Sequence, residues 1–339
     1  GGARGRPPCG GARGMGRMKD DDGSLASEVM HPMHYKPRDM AFEPLVEWQY
    51  AAALWNRAAP AYAEGGLNTF APLHKRVLLK ALDLIEQWDG PHVLDLASGP
   101  GEPAVSIAQA RPDADIISTD FAASNSRIGR ARAARADVDV IFQFADLEDL
   151  QFDDDAYDLV TCVLGLMYCV RQDALAEMYR VCKPEGHVLI VVHGPGDYHV
   201  PFTAVIDKMV GADLPVPECM GTHPLSLGTP NMLTEELLAC GFEEVTCEEI
   251  KYGAHVSAGS DEEAWSKVKS PLVDSLSTLQ DQGAFAADRD VEAEAKEIYM
   301  SALKAAGGLD RDGFSFPENS AFVYVARKPS FNKRRGWFS

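Results

Sequence analysis

The segment Val93-Leu94-Asp95-Leu96-Ala97-Ser98-Gly99-Pro100-Gly101-Glu102-Pro103-Ala104 decides how the chain folds. An apolar run meets an acid and a Gly-x-Gly loop, and Ala104, Ile107 and Ala108 then recur at helical spacing. This order predicts a buried parallel strand, a tight turn and a helix, with Pro103 in the first helical turn. Glycine suits such a turn because a side chain would disfavour positive φ and keep a ligand from the backbone. The alternative is a strand–turn–helix junction whose glycines serve close packing and bind no ligand.

Strands and helices alternate along the rest of the chain. Apolar runs predict strands over residues 92–96, 115–119, 138–144, 159–163, 187–192, 244–250 and 321–326. Helical spacing predicts helices over residues 42–62, 70–88, 103–110, 122–134, 174–182, 229–240, 261–280 and 291–306. Near-continuous apolar strands that alternate with helices are typical of a parallel sheet covered on both faces. We therefore predict an α/β fold with a doubly wound, mostly parallel, seven-stranded sheet and helical insertions that form a lid.

The charge distribution argues against a nucleic-acid ligand. The chain has 32 basic and 51 acidic residues and a net charge of −19. Five basic residues and no acid lie in residues 1–19, and the same holds for residues 327–339, so the segment between them is more acidic still. Such a body repels phosphate backbones. No apolar run reaches the length of a membrane span, and seven cysteines without CxxC pairing indicate reduced thiols in an intracellular, cytoplasmic protein.

Two further acids follow predicted strands. Asp120 ends the second strand, nineteen residues after Gly101, where a carboxylate can accept both hydroxyls of a ribose. Asp146 follows the third strand, where it can accept from an exocyclic amine while Leu147 packs on a purine. The alternatives are a helix N-cap for Asp120 and an ordinary loop turn for Asp146. Acids at three successive strand ends favour a ligand site at the carboxyl edge of the sheet.

At these residues the chain resembles the class I S-adenosylmethionine-dependent methyltransferases, in particular the small-molecule branch that includes the ubiquinone/menaquinone C-methyltransferases. The similarity covers roughly residues 45–328. It rests on the glycine loop, Thr119-Asp120-Phe121, Ala145-Asp146-Leu147, residues 157–168, and Tyr179-Arg180-Val181-Cys182-Lys183-Pro184-Glu185-Gly186-His187. The last segment is similar to the family's Arg-Val-Leu-Lys-Pro-Gly-Gly turn, with Cys182 for Leu and Glu185 for the first Gly. Residues 55–62 resemble the helix that covers the methionine end of the cofactor.

The resemblance implies a Rossmann-like methyltransferase fold, S-adenosyl-L-methionine as cofactor and methyl transfer (EC 2.1.1.-) as activity. By that match, Ala97, Gly99, Pro100 and Gly101 flank the amino-acid part of the cofactor, and Asp95 orients the loop or holds the cofactor's ammonium group through water. The remaining cofactor-binding residues implied by the match are Asp120 and Phe121 at the ribose, Asp146 and Leu147 at adenine, and Leu164 in the pocket beyond the fourth strand. Residues 321–326 are the candidate for the family's antiparallel strand.

Two alternatives remain at this point. Gly99-x-Gly101-x-x-Ala104 also fits the dinucleotide fingerprint, and Asp120 has a suitable spacing for NAD. An NAD-dependent oxidoreductase would need a proton-transfer group such as a Tyr-x-x-x-Lys pair, and none is placed convincingly. A family member that binds the cofactor without catalysis is the other alternative, although the loop and Asp120 are intact.

The acceptor is predicted to be a small molecule. Residues 164–168, Leu-Gly-Leu-Met-Tyr, lack the Asn/Asp-Pro-Pro-aromatic motif with which the family's nucleic-acid N-methyltransferases grip a planar amine. A general base helps if the acceptor is a phenol or an ammonium and is unnecessary for a thioether or an activated carbon. His193, at the end of the fifth strand, and Tyr168 are the candidate catalytic residues, with a structural hydrogen bond as the alternative role for His193. His199 lies nearby in sequence, and His223 and His255 lie in the predicted lid. Phe202 suggests a partly apolar pocket, with core packing as the alternative, and Cys219 lies in the Pro-rich loop 215–230 without a sign of a nucleophile's role. No metal site is predicted.

The predicted organisation is one folded domain between two basic ends. Residues 1–40, rich in Gly, Arg and Pro, are predicted to be a disordered leader, and residues 329–339 a basic tail. A single methyltransferase domain over 41–328 would comprise N-terminal helices (41–90), the cofactor-binding core (91–193), and substrate-side insertions with the last strands (194–320). Residues 1–19 share their Arg-rich, acid-poor character with transit peptides but contain no serine. The oligomeric state is not predicted.

Overall fold

The computed structural model describes residues 47–210, 225–281, 283–306 and 309–330. The predicted leader, most of the basic tail, and Cys219 and His223 of the Pro-rich loop lie outside these residues. Helix α1 spans Glu47–Ala61, a π-helical turn follows over Tyr62–Gly66, α2 is Leu67–Thr69, and α3 spans Ala71–Ile85. On α3 the fully buried side chains recur every fourth residue, at Leu73, Val77, Ala81 and Ile85. This spacing gives α3 one apolar face for the sheet.

The glycine-loop segment forms the first strand–turn–helix unit of the core. The elements of this half are β1 His92–Leu96, α4 Ala104–Ala110, β2 Asp115–Thr119, α5 Ala123–Ala136, β3 Ile141–Gln143, β4 Tyr157–Val163, α6 Arg171–Val181 and β5 Cys182–Gly196. Pro103 lies at the N-cap of α4, one residue before the helix begins. The strands β1 and β2 have the predicted bounds.

The C-terminal half adds long strands and helices. Its elements are α7 Val200–Val205, which continues as a π-helical turn over Ile206–Val210, α8 Thr234–Cys240, β6 Glu243–Ser257, α9 Asp261–Asp281, α10 Val291–Ala305, β7 Leu309–Asp310 and β8 Gly313–Arg327. The two helices α9 and α10 separate β6 from the strands β7 and β8. They fall at the predicted positions, whereas β6 and β8 are longer than the apolar patterns indicated.

Among the described residues, seven strands form one sheet in the order β3-β2-β1-β4-β5-β8-β6, and the two-residue β7 pairs with β8 outside this order. The first five strands are parallel, and β8 runs antiparallel to both β5 and β6. The predicted α/β fold with a doubly wound, mostly parallel seven-stranded sheet is therefore confirmed. Residues 321–326, the candidate antiparallel strand, lie within β8.

Apolar side chains alternate between the two faces of the sheet. On β5, Leu189 and Val191 belong to the core that includes α3 and α9, and Val188, Ile190 and Val192 belong to the core that includes α6 and α8. All five are fully buried. A strand that is apolar on both faces must be covered on both faces, which explains the near-continuous apolar run in the sequence.

The third strand is shorter than predicted. The sequence indicated a strand over 138–144, whereas β3 contains only Ile141–Gln143. Asp137 takes a left-handed conformation at the end of α5, and the Val138 N–H closes the helix on the Ala133 carbonyl at 3.1 Å. Val138 and Val140 pack beside the small buried cluster of Val105, Ala133 and Phe142. Their apolar character therefore reflects this packing and not a longer strand.

The predicted turn at Lys183-Pro184-Glu185-Gly186 is a bend within β5. The pairing with β4 jumps from Tyr157–Cys182 to Leu159–His187, and Glu185 has φ of +69°. Glu185 is the position where the resembling family carries glycine, and a positive φ is the conformation that glycine adopts without strain. The Glu185 N–H donates to the Lys328 carbonyl at 2.9 Å, which ties this bend to the end of β8.

Candidate functional site

The glycine loop is a tight turn between β1 and α4. Ala97, Gly99 and Gly101 have φ of +48°, +54° and +93°, and the Gly101 N–H donates to the Ser98 carbonyl at 2.9 Å. A Cβ on Gly101 would lie 2.9 Å from the Phe142 ring, so packing requires glycine there. A Cβ on Gly99 would meet nothing closer than the Tyr62 ring at 3.7 Å. The packing alternative therefore explains Gly101, whereas the space beside the Gly99 Cα is open as far as the Tyr62 ring.

Asp95 is fully buried beneath the loop. Its Oδ1 accepts a hydrogen bond from the Thr161 hydroxyl at 2.6 Å, and its Oδ2 accepts from the Ala104 N–H at 3.4 Å. Burial raises the pKa of this carboxyl to about 7, against the opposing effect of these hydrogen bonds. Asp95 therefore joins β1, β4 and the start of α4, and it carries a charge that depends on pH near neutrality.

Asp120 connects the glycine loop to α5. Its Oδ2 accepts from the Gly99 N–H at 2.9 Å, and its Oδ1 accepts from the Ala122 N–H at 2.7 Å. Burial raises the pKa of the carboxyl, opposed by these bonds and by the side chain of Asn125. Ala122 is itself the N-cap of α5, so Asp120 acts two residues before the cap position. The N-cap interpretation therefore accounts for the bond from the Ala122 N–H but not for the bond from the Gly99 N–H.

Asn125 is a polar group that the sequence did not single out. It is buried on α5, and its side chain lies beside Asp120. Its Oδ1 has no hydrogen-bond partner among the described residues. A buried acceptor without a partner is costly in a finished structure, so this atom is suited to a hydroxyl or amine donor of a ligand.

Asp146 and Leu147 follow β3 at the same edge. The Asp146 Oδ1 accepts from the Glu148 N–H at 2.9 Å, and its carbonyl accepts from the Asp149 N–H at 3.2 Å. Leu147 is buried. These bonds describe a loop turn, the alternative raised from the sequence, and they leave the second carboxylate oxygen of Asp146 for another donor. The Asp120 N–H donates to the Gln143 carbonyl at 3.3 Å and keeps the two strand ends together.

The ends of β1 and β4 meet in a strained pair. Leu164 has φ of +58° and follows β4, and Ala97 has φ of +48° after β1. A Cβ on Gly165 would lie 2.5 Å from the Cβ of Ala97, so the two strand ends are in close contact. Left-handed conformations of residues other than glycine cost free energy and cluster at functional sites.

The segment 55–62 lies across this edge. The Trp55 ring contacts the Tyr168 ring edge-on at 5.1 Å between centroids, and Asn56 Oδ1 accepts from the Ser124 N–H at the start of α5 at 2.8 Å. Tyr62 stands beside Gly99, and burial raises its pKa to about 12. Helix α1 and the π-helical turn therefore cover the glycine loop, as the resembling family's N-terminal helix would.

Aromatic rings line the edge beyond β4 and form what we call the aromatic wall, made of Phe70, His193, Tyr198, His199, Phe202, Tyr252 and Phe316. Phe70 contacts His193 at 5.6 Å, Tyr198 at 5.1 Å and Tyr252 at 6.3 Å between ring centroids. Tyr198 also contacts Phe202 and Phe316, at 5.6 and 5.4 Å. Of these residues, only His193, His199 and Phe202 are candidates for the site from the sequence. The other members of the wall occupy ordinary positions in alternating or helical apolar patterns, which do not mark them as site residues.

The two candidate catalytic residues have different surroundings. Burial, and then the neighbouring His199 and His74, lower the pKa of His193 well below its ordinary value, so its imidazole is neutral at pH 7. Its Nδ1 has no hydrogen-bond partner among the described residues. Burial raises the pKa of Tyr168 and keeps its phenol protonated. The Nδ1 of His193 is therefore available for a hydrogen bond, but the lowered pKa makes the imidazole a weak base. The phenol of Tyr168 can form hydrogen bonds or pack but holds its proton. His255, another histidine considered from the sequence, is engaged by Ser315 at 3.0 Å.

Two further classes of feature are absent from the part of the chain that the structure describes. Those residues contain no group of three or more His, Cys, Asp or Glu side chains that could hold a metal ion. Nor do they include a helix of the length and apolar character that crossing a membrane requires.

Comparison with known proteins gives a consistent set of relatives. A family profile described as a methyltransferase domain matches residues 93–186. The demethylmenaquinone methyltransferase of Thermus thermophilus is 30% identical over 178 residues, which cover 48% of this chain and 79% of the relative. The ubiquinone/menaquinone biosynthesis C-methyltransferase of Cupriavidus metallidurans is 40% identical over 104 residues. That match covers 30% of this chain and 43% of the relative, so the chain spans less than half of the Cupriavidus protein.

Solved structures resemble the chain more distantly. The YcgJ protein of Bacillus subtilis is 19% identical with a TM-score of 0.46, over 76% of this chain and 99% of that protein. The Haemonchus contortus phosphoethanolamine N-methyltransferase 2, solved with phosphomonomethylethanolamine and S-adenosylhomocysteine, is 16% identical with a TM-score of 0.46. The latter match covers 76% of this chain and 53% of the Haemonchus protein.

Proposed function

Because this chain belongs to the class I S-adenosylmethionine-dependent methyltransferases, we propose that it binds S-adenosyl-L-methionine at the edge of β1 to β4 and methylates a small-molecule acceptor. The observation that carries the proposal is that Asp120, directly after β2, accepts a hydrogen bond from the Gly99 N–H of the glycine loop. The family assignment does not favour the NAD-dependent alternative.

The residues at the edge fit the cofactor. The unpartnered Asn125 Oδ1 and the carboxylate of Asp120 offer acceptors for ribose hydroxyls. Gly99 leaves room at the backbone for the amino-acid part, and Leu147 and Asp146 offer an apolar surface and an acceptor for adenine. The bound cofactor supplies a methyl group on a sulfonium whose departure leaves a neutral thioether. The roles of these residues, and those of Ala97, Pro100, Gly101, Phe121 and Leu164, are part of the proposal.

The residues of this chain align the acceptor with the methyl group and exclude water from the site of transfer. Methyl transfer is an in-line displacement, so positioning of the nucleophile supplies most of the catalysis. The aromatic wall and the cover formed by Trp55 and Tyr62 enclose the side on which the acceptor would approach. His193 lies at the aromatic wall with Nδ1 unpartnered and can hydrogen-bond to the acceptor; its lowered pKa limits it to a weak general base for an acceptor that must lose a proton. A His193→Gln variant that methylates a metabolite extract as fast as the unmodified protein would remove this role.

Calorimetric titration with S-adenosylmethionine and with S-adenosylhomocysteine tests the proposal. We expect both to bind, and Asp120→Ala to lower the affinity by about 1–3 kcal/mol, because charged acceptor hydrogen bonds are lost. Asp139→Ala, an exposed acid at the amino end of β3, is the matched control and should bind unchanged. Since Asp120 also holds two backbone N–H groups, thermal melting of each variant separates lost binding from lost structure. Failure of both ligands to bind the unmodified protein contradicts the proposal.

A further inference from the structure

A large cleft opens behind the glycine loop, between α1–α3 on one side and α4–α5 on the other. Its volume is about 780 Å³, within the range of small-molecule sites. Glu102, Ser106, Arg127 and Arg132 line it from the α4–α5 side, and Lys75 lines it from α3. None of the residues proposed above to hold the methyl donor lines this cleft, so it is a separate cavity that the proposed function does not use.

Unpaired positive charge distinguishes the rim of this cleft. Lys75, Arg127 and Arg135 are exposed at its rim, and in the described part of the chain none of them forms a salt bridge. The Arg135 Nε donates only to the Ala131 carbonyl of its own helix, at 3.1 Å. The whole chain has a net charge of −19, and most described cations elsewhere have a carboxylate partner. Glu64 adds one exposed carboxylate to the lining of the same cleft, so three unpaired cations face one acid and together attract an anion.

The floor of the same cleft is apolar. Leu67, Leu78 and Ile128 are half-buried and line it together with smaller apolar residues. At its base both ring nitrogens of His74 are buried and have no hydrogen-bond partner among the described residues. A site with an apolar floor, a few polar groups and a charged rim is typical of small-molecule recognition.

We propose that this cleft binds a small anionic amphiphile, namely a phosphate monoester with a short apolar group. The phosphate contacts Lys75, Arg127 and Arg135, since guanidinium and ammonium groups form charge-assisted hydrogen bonds with phosphate oxygens. The apolar group covers Leu78 and Ile128 on the floor. Binding removes the repulsion among the three cations and the exposure of the two apolar side chains to water.

Arg132 links the cleft to the glycine loop. Its Nη1 donates to the Pro100 carbonyl and its Nη2 to Glu102 Oε1, both at 2.5 Å. An anion in the cleft competes with these two acceptors for the guanidinium of Arg132. Occupation of the cleft therefore loosens the loop and weakens binding of the methyl donor, and by linkage the donor weakens binding in the cleft. This coupling rests on the proposed function, whereas binding in the cleft does not.

Calorimetry with three probes tests the ligand class in the absence of any methyl donor. Octyl phosphate should bind, inorganic phosphate should bind at least tenfold more weakly, and octyl glucoside should show no binding. Equal affinity for octyl phosphate and inorganic phosphate would overturn the role of the apolar floor. Equal affinity for octyl phosphate and octyl glucoside, or no binding of octyl phosphate, would overturn the site.

Neighbouring residues on α3 supply matched controls. Lys75→Gln should weaken octyl phosphate binding at least threefold, whereas Arg76→Gln, which removes an exposed charge outside the cleft, should leave it within twofold. Arg127→Gln combined with Arg135→Gln should weaken it at least tenfold. Equal losses for Lys75→Gln and Arg76→Gln would indicate general charge attraction and overturn the site. Thermal melting confirms that each variant is folded.

The coupling has its own readout. Saturating octyl phosphate should weaken S-adenosylmethionine binding at least threefold, and Arg132→Gln should abolish this effect while octyl phosphate still binds. An unchanged S-adenosylmethionine affinity would overturn the coupling and leave the cleft as a separate site. If S-adenosylmethionine does not bind even without octyl phosphate, the proposed function fails, and the three-probe titration still decides the cleft.

Discussion

The polar edge at β1 to β3 and the aromatic wall beyond β4 are built in opposite ways. At the polar edge, Asp95 and Asp120 accept hydrogen bonds from the glycine loop and the starts of two helices. At the aromatic wall, Phe70, Tyr198 and Tyr252 come from separate parts of the chain and meet through ring contacts. The acids of the polar edge lie on consecutive strand–turn–helix units, whereas the rings of the wall meet only once the whole sheet has formed.

The polar edge and the aromatic wall differ in the charge of the ligand that each can hold. The polar edge holds two buried carboxyl groups that suit a cationic ligand, and burial raises the pKa of both. The aromatic wall holds a neutral histidine and tyrosines whose pKa values are raised by burial. We infer that the polar edge serves the charged methyl donor and the wall serves the acceptor, and the predictions below test each side in turn.

The largest effect is expected at the polar edge. Gly101→Ala forces an L-residue to φ of +93° with its Cβ 2.9 Å from the Phe142 ring. Left-handed strain and overpacking together should lower the free energy of unfolding by about 3 kcal/mol. Gly283→Ala, at φ of +81° with no atom within 4 Å of the new Cβ, is the matched control and should cost about 1 kcal/mol. Urea denaturation of both variants measures this, and equal losses would show that the loop is not tightly packed.

The next effect concerns His193 in the aromatic wall. Because its pKa in the folded protein lies below its ordinary value, the unfolded chain binds more protons. The contribution of His193 to stability is therefore fully present above about pH 6.5 and is lost as the pH falls. His193→Phe should reduce the slope of unfolding free energy against pH between 6.5 and 5 by up to about 1.4 kcal/mol per pH unit. An unchanged slope in denaturation at several pH values would contradict the buried, neutral state.

The smallest effect concerns Asp95 at the polar edge. Its pKa of about 7 means that the carboxyl is largely protonated at pH 6 and ionised at pH 8. A cationic donor stabilises the ionised form, so S-adenosylmethionine affinity should rise between pH 6 and 8, by at most about tenfold per pH unit. Calorimetry in two buffers of different ionisation enthalpy should detect proton release at pH 6.5. Asp95→Asn should flatten the pH dependence, and a dependence that persists in this variant would assign it to another group.

The two regions also differ in how far the sequence predicts them. The bounds of β1 and β2 and the acids at strand ends follow from local patterns, because each strand–turn–helix unit carries its own signals. Local patterns do not predict the packing of Gly101 on Phe142 or the role of Arg132, because both depend on how α5 lies against the loop. Tyr198 and Tyr252 look like ordinary apolar positions in sequence.

The lengths of the strands show the same limit. The strand β8 covers Gly313–Arg327, but only residues 321–326 form a continuous apolar run. Its earlier part pairs with β6, where Phe316 lies opposite Ala254 and Phe314 opposite Val256. Polar residues such as Asn319 interrupt the apolar pattern there, because their side chains bond to backbone, as from Asn319 to the Phe316 carbonyl at 2.7 Å. Such partners are visible only in the folded chain.

Hydrogen–deuterium exchange with and without S-adenosylhomocysteine tests the division into two sides most directly. We expect slower exchange in peptides covering residues 93–104, 118–124 and 143–148, and little change in residues 250–257 and 314–322. Asp120→Ala should reduce this protection at the same ligand concentration. Protection confined to β6 and β8, or no protection at the glycine loop at a saturating ligand concentration, would contradict the assignment of the polar edge to the methyl donor.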